Sequence, residues 1–363
     1  MATTAMSPLR GSLLGIIFHD VCEEIRLEEL RRILDAKRTE PTFKHPTPEY
    51  VRFENPPIVE TLEAVVLSSG EHVEPQAKYY DYGVVSVQME LPFEGDWQSL
   101  ANLAARWVPS AELERQAEEI VRGRVQKIAP AMVRPYGQWL GEDYYIFLLR
   151  EVAGQPLGAE LLAEHGSQIA QIVTGERSEL APAETNDVLQ ANLSYYPRDL
   201  IVIGWNASLI YDTHSGAETS MQILEYANSQ LLEFRHYDEL LTRELASVHN
   251  SLKYRAGILK RWRMRQEASR LNGVTVEVTE LVERSDTAIK FVSDMFSARL
   301  YRLAASKVGV PEYKNLVNEK LKTAEGLYRF LIEEFHQSRG FVLELMVVII
   351  LVIELFYLFR GKG

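Results

Sequence analysis

The chain has 363 residues, with 39 Lys plus Arg against 51 Asp plus Glu, a formal net charge of −12, and 46% hydrophobic residues. At about 100–200 residues per domain this length supports about two domains, and a composition with 25% charged and 10% aromatic residues excludes a wholly disordered or collagen-like polymer. The acidic total argues against a coat of nucleic acid, and the single cysteine, Cys22, excludes an internal disulfide framework and any cysteine-cluster metal site.

Near the N-terminus the apolar run LLGIIF is followed at once by His19 and Asp20, too short for a secretory segment, and it predicts a buried strand over 11–18. Leu27, Leu30, Ile33 and Leu34 share one face of a short helix over 25–34. Residues 38–57 hold five prolines and read as a loop. Strands are expected at 61–67 and 80–91, with Gly83 placed by a bulge or a close backbone approach. Helices follow from about Gly95 to Trp107 and from Ser110 to Lys127. A strand at 144–150, a helix at 157–172 and two strands at 188–195 and 200–205 complete this half, the last pair joined by a hairpin turn through Tyr196 to Asp199. Paired strands mixed with helices predict an α+β region over 1–212, as one domain or two small subdomains.

After Gly216 the texture changes. Leu224, Ala227, Leu231, Phe234, Leu241, Leu245, Val248, Leu252 and Leu259 fall on one alternating three-and-four seam, broken only by Asp238 and Arg255. A heptad sustained this far predicts a long helix packed against others, so 213–340 reads as a helical bundle or coiled-coil stalk. Asn272 and Gly273 are expected to stop the first helix, a second spans about 280–308, and Gly309 and Pro311 precede a third with a seam of Val317, Leu321, Ala324, Tyr328, Leu331 and Phe335.

From Phe341 to Phe359 the sequence reads FVLELMVVIILVIELFYLF, in which only Glu344 and Glu354 are charged. Nineteen residues at 1.5 Å each give about 28 Å, near the ~30 Å hydrocarbon core of a bilayer, so one C-terminal transmembrane helix is expected at 341–359. The expectation is therefore a tail-anchored membrane protein, with its N-terminal domain on the cytoplasmic or organelle-matrix side. The acids Glu344 and Glu354 then sit near headgroups or pair with a neighbouring copy, which implies a homo-oligomer.

Lys253, Arg255, Lys260, Arg261, Trp262, Arg263, Arg265 and Arg270 form a basic stretch interrupted by Glu267 alone among acids. Charges all round a helix must be solvated or pressed against anions, here anionic lipid headgroups, RNA or ribosomal phosphate, or the chain's own acidic regions. Asp212, His214 and Ser215 carry the ingredients of a nucleophilic site, but Ser215 with Glu218 reads better as a helix capping box. The eight histidines show no metal-ligand spacing, and GxxxxGK[ST], GxGxxG and GxSxG are absent from the sequence. No catalytic residue, cofactor, metal or small-molecule substrate is expected. Trp97, Trp107, Trp139 and Trp205 read as core or interface anchors.

Three stretches together resemble one family. The opening LLGIIFHDVCEEIRLEELRRIL, the strand YDYGVVSV and the C-terminal VNEKLKTAEGLYRFLIEEFHQSRGFVLELMVVIILVIEL are similar to the YagE-type domain-of-unknown-function family. The resemblance implies a membrane-anchored, oligomeric α+β protein without evident catalysis. The chain thus reads as a membrane-anchored, self-associating scaffold, with a membrane-tethered RNA- or ribosome-associated factor as the alternative.

Overall fold

The computed structural model describes residues 9–34, 51–53, 55–68, 70–253, 258–287, 289–291 and 295–360, and among these the side chains of all but 51–53, 214–215, 251–253, 258–265, 284–287, 289–291, 334–345 and 357–360. In chain order the elements are β1 (Leu9–Ile25), α1 (Leu27–Leu34), β2 (Val51–Phe53), β3 (Ile58–Thr61), β4 (Val65–Val66), β5 (His72–Val73), β6 (Gln76–Tyr79), β7 (Val84–Gly95), α2 (Trp97–Trp107), α3 (Glu112–Ile128), β8 (Met132–Val152), α4 (Gly158–Thr174), α5 (Pro182–Gln190), β9 (Asn192–Leu193), β10 (Leu200–Ile203), β11 (Ala207–Tyr211), α6 (His214–Lys253), α7 (Ile258–Thr287), β12 (Ile289–Phe291), α8 (Met295–Val308) and α9 (Val310–Arg360). They form two compact units, one of Met1–His236 with Arg284–Tyr313 and one of Tyr237–Glu283 with Lys314–Gly363.

The first unit is built on an eight-stranded sheet of order β3-β6-β7-β1-β8-β11-β10-β9. Every neighbouring pair is antiparallel except β11 with β8, which run parallel. The central strand β1 is buried from Leu13 to Cys22 without interruption, because both faces of the sheet are covered. Leu13, Ile17 and Val21 share a core with Leu113, Ala117 and Val121 of α3. The opposite face carries Leu14, Ile16 and Phe18, all buried, and on that face the first part of α6 is tied to the sheet. Glu225 of α6 accepts from Lys78 and, at 2.7 Å, from Ser86 Oγ, while Ser229 lies 2.8 Å from the Tyr82 hydroxyl. Double coverage explains why LLGIIF is continuously apolar: alternation is the mark of a strand with one wet face.

Local chemistry sets the element ends. Asp96 caps α2 by accepting from the Ser99 amide at 2.7 Å, and Glu160 reaches back to the Leu157 amide at the start of α4. Gly83 closes the turn into β7 with φ +96°, and a Cβ there would lie 1.7 Å from the Cys22 carbonyl oxygen, the close approach the sequence suggested. The hairpin turn at 196–199 is held by Asp199, whose carboxylate accepts from the amides of Tyr195 and Tyr196 at 2.8 Å each.

Elsewhere the structure departs from expectation. Residues 182–190 form α5 instead of the start of a strand, and the segment 206–212 contains β11, whose five residues are all buried beside β8. The cap of α6 is Thr213, whose Oγ1 accepts from the Gly216 amide at 3.3 Å and whose carbonyl accepts from Ala217 at 3.0 Å, so Ser215 lies inside the first turn. Asn272 and Gly273 do not stop α7, since a glycine inside a helix costs only about 1 kcal/mol. Pro311 falls in the first turn of α9, where a proline lacks no needed donor.

In the second unit Val248 of α6, Ala268 and Leu271 of α7, and Ala324 and Leu331 of α9 form one core. Asp238, which interrupts the heptad seam, receives Lys320 Nζ at 2.5 Å, and the same ammonium donates to Thr242 Oγ1 at 2.5 Å.

The expected transmembrane helix is corrected. Among the described residues no helix is long and apolar enough to cross a membrane. Residues 341–359 are the end of the 51-residue helix α9. The tail anchor and the single-pass membrane localisation fall with the expected span. Glu354 is an exposed position of α9, and the Glu344 side chain lies outside the described residues.

Replacing Gly83 by Ala should destabilise the protein by about 3 kcal/mol, combining the left-handed backbone penalty with the displaced Cys22 carbonyl. A urea midpoint unchanged from that of the unaltered protein would contradict this account.

Candidate functional site

The site begins with an irregularity between the two longest strands. β1 and β8 pair in register from Ile17 with Asp143 to Asp20 with Leu140, then resume at Cys22 with Pro135. Tyr136, Gly137, Gln138 and Trp139 therefore stand opposite Val21 alone. Such a bulge bends its strand and re-aims side chains. The backbone is strained at its edge, where Arg134 has φ +46° and its guanidinium lies 2.8 Å from Glu23. Since β11 pairs with β8 only from Tyr145 to Leu149, β11 does not cover the bulged half of β8.

The bulge serves both faces of the sheet. On the α3 face Trp139 meets the His19 ring edge-on, with centroids 6.1 Å apart. On the α6 face Tyr136 stacks on His236 at 4.4 Å, and His236 Nδ1 lies 2.6 Å from the buried Asp20 carboxylate. Burial pushes Asp20 well above the usual carboxylate range. Glu142, on the same face, is closed by Arg235 of α6.

The α3 face holds a cavity of about 590 Å³ whose walls include His19, Glu114, Glu118, Arg122, Trp139 and Asp143. Arg122 is committed within it, donating from Nε and Nη2 to Glu118 at 3.1 and 2.5 Å and lying 5.2 Å over the Trp139 ring. Burial raises the pKa of Glu114, and the neighbouring Asp143 raises it further. Asp143 is itself lifted by burial. Burial pushes His19 down to about 4, against the smaller opposing pull of Glu118, which keeps the imidazole neutral at neutral pH. The Cys22 thiol is pushed up to about 12 by burial, so it offers no thiolate. Among the described residues no three His, Cys, Asp or Glu side chains converge as a metal would require.

A family model matches residues 10–218, from β1 to the first turn of α6, and it contains the whole cavity. The chain belongs to the family described as uncharacterized protein MJ0711, N-terminal domain. It is 19% identical over 214 residues to uncharacterized protein MJ0711 of Methanocaldococcus jannaschii, a match covering 59% of this chain and 65% of that relative, less than two thirds of its length. No solved structure matches. The likeness to the YagE-type family is thereby corrected: the match over the sheet is to the MJ0711 domain, and nothing supports YagE membership. The features that suggested it, an opening strand and helix, a Tyr-Gly-Val-Val strand and an apolar tail, follow from burial patterns common to many folds.

The residues singled out from sequence lie elsewhere. Arg270 Nη2 is 2.7 Å from Glu244, an ion pair within the second unit. The side chains of Lys253, Lys260, Arg261, Trp262, Arg263 and Arg265, and the whole of Arg255, lie outside the described residues. Asp212 accepts from the Thr213 amide at 2.6 Å at the head of α6, and the side chains of His214 and Ser215 are outside the description. Trp97 and Trp107 are buried, Trp139 lines the cavity, and Trp205 is exposed. The cavity itself was missed, because its walls come from three separated stretches. Its only local signal was a histidine followed by an aspartate at the end of a continuous apolar strand.

His19 makes stability depend on pH. Its folded pKa of about 4 lies below its ordinary 6.5, so the unfolded chain binds more protons between those values and stability falls as pH drops through them. Relative to His19→Gln, the unaltered protein should lose about 3 kcal/mol more between pH 7 and pH 4, measured by chemical denaturation at each pH. Parallel curves for the two proteins would refute the assignment.

Proposed function

We propose that the protein is a self-associating interaction protein without catalytic chemistry of its own, assembled through its second unit. One observation carries the reading. Residues 346–356 of α9 are all exposed, and all but Glu354 are apolar. A contiguous apolar surface of this extent on a folded chain calls for a partner.

The heptad of α9 supports a second copy as that partner. Val317, Leu321, Ala324 and Leu331 are buried at spacings of four, three and seven along the seam, and its alternation of four and three continued along the helix arrives at Ile349, Val352 and Phe356. In its first part the seam is filled by α6 and α7 of the same chain. Ile349 and Val352 are exposed, and a copy of α9 in matching register presents the complementary surface.

Sedimentation of the full chain in mild detergent should show a dimer or higher oligomer. Changing Ile349, Val352 and Phe356 together to Ser should weaken association at least about tenfold, whereas Val347, Ile350 and Leu351 changed to Ser, off the seam, should leave it nearly intact. A monomeric full chain, or equal loss in both variants, would refute the proposal.

A further inference from the structure

We infer that the self-association carried by α9 is a closed bundle of three or more copies, in which each tail helix lies against two others. The inference rests on the self-association reading and goes further by fixing how many faces of the helix meet a partner.

A seam with Ile349 and Phe356 at position a of the heptad and Val352 at d places Met346 and Ile353 at e, and Val348 and Leu355 at g. In a two-stranded coil a and d meet the partner, while e and g border water and are commonly Glu or Lys. Here all four flanking residues are apolar, and all four are exposed on the single chain. The one charge in the stretch, Glu354, sits at f, about 170° round the helix from the middle of the seam at 100° per residue. Charge is thus kept to the side farthest from the seam, and the apolar flanks widen the contact beyond what one neighbour covers. Val347, Ile350 and Leu351 lie further round still, so a simple pair would leave most of the apolar circumference in water.

The same helix supplies a precedent. Farther up α9, Leu327 and Ile332 occupy the corresponding g and e positions, and there the helix has two neighbours, α6 and α7. Both side chains are partly buried against the core that Val248 of α6, Leu271 of α7 and Leu331 of α9 share. Apolar flanks are therefore filled where α9 packs against two helices at once. Val352 adds to this, because two-stranded coils favour Leu at d, whereas β-branched side chains at both a and d shift the preference to three or four strands. A ring of identical contacts that closes on itself gives every tail helix its two neighbours.

Sedimentation equilibrium of the full chain in density-matched mild detergent tests the inference. The particle should contain at least three chains of 41.4 kDa each. Val348→Lys combined with Ile353→Glu places opposite charges at a g and an e position that pair across a two-stranded parallel coil, and it should bring the particle down to two chains with the a and d seam intact. The mass of the unaltered particle decides the matter even where the double variant does not fold. A particle of two unaltered chains would overturn the inference and leave self-association standing, whereas a monomer would overturn both. The inference also fails if the folded double variant keeps the same number of chains as the unaltered protein.

Discussion

The sheet depends on a strand that has no face left for water. Burying β1 from Leu13 to Cys22 on both sides obliges the chain to supply helices from two directions, α3 on one face and α6 on the other. Each cover is specific in a different way. The α3 side is closed by aliphatic packing of Leu113, Ala117 and Val121, which is tolerant of exchange among residues of similar volume. The α6 side is closed through buried polar pairs, Glu225 with Lys78 and Ser86, Ser229 with Tyr82, Arg235 with Glu142 and His236 with Asp20. Polar pairs of this kind add little net stability but penalise any shift of register, because a displaced partner leaves a buried charge uncompensated. The sheet is thus held by one adaptable layer and one exacting layer.

The bulge at Tyr136–Trp139 connects this constraint to the cavity. A regular pairing of β1 with β8 would carry Val21 against a single residue and leave no room beside His19. Four residues opposite one turn Tyr136 towards His236 and Trp139 towards His19, so the same irregularity locks α6 and opens the α3 face. The lock on α6 and the shape of the cavity are therefore set at one place in the strand.

Much of the first unit was legible in the sequence, and what was not has physical causes. Helix α2 is announced by Asp96, which accepts from the Ser99 amide, and α3 by Ser110, whose Oγ accepts from the Glu112 amide, both local signals. Gly83 was readable as a close approach because glycine inside an apolar strand has few other uses. The central strand β11 was not readable: Ala-Ser-Leu-Ile-Tyr is short, and only its position beside β8 makes it a strand. The failure at 272–273 arose from weighing a small local penalty as though it could end a thirty-residue helix. The apolar tail was misread as a span because hydropathy was counted over nineteen residues without regard to the seam that runs through them. The cavity was invisible for the plainest reason, that Glu114 and Asp143 become neighbours of His19 only through tertiary structure.

The return of the chain to its first unit has a consequence for how the protein is made. After leaving at Tyr237 the polypeptide comes back at Arg284, where β12 pairs with β2 and Tyr301 of α8 donates to Gln230 of α6, and it leaves again after Tyr313. The boundary between units is crossed three times, so no single cleavage releases either unit whole. During synthesis the first unit is complete only when Arg284–Tyr313 has followed the 47 residues of the other unit, Tyr237–Glu283. Completion of the first unit is therefore a late, long-range closure.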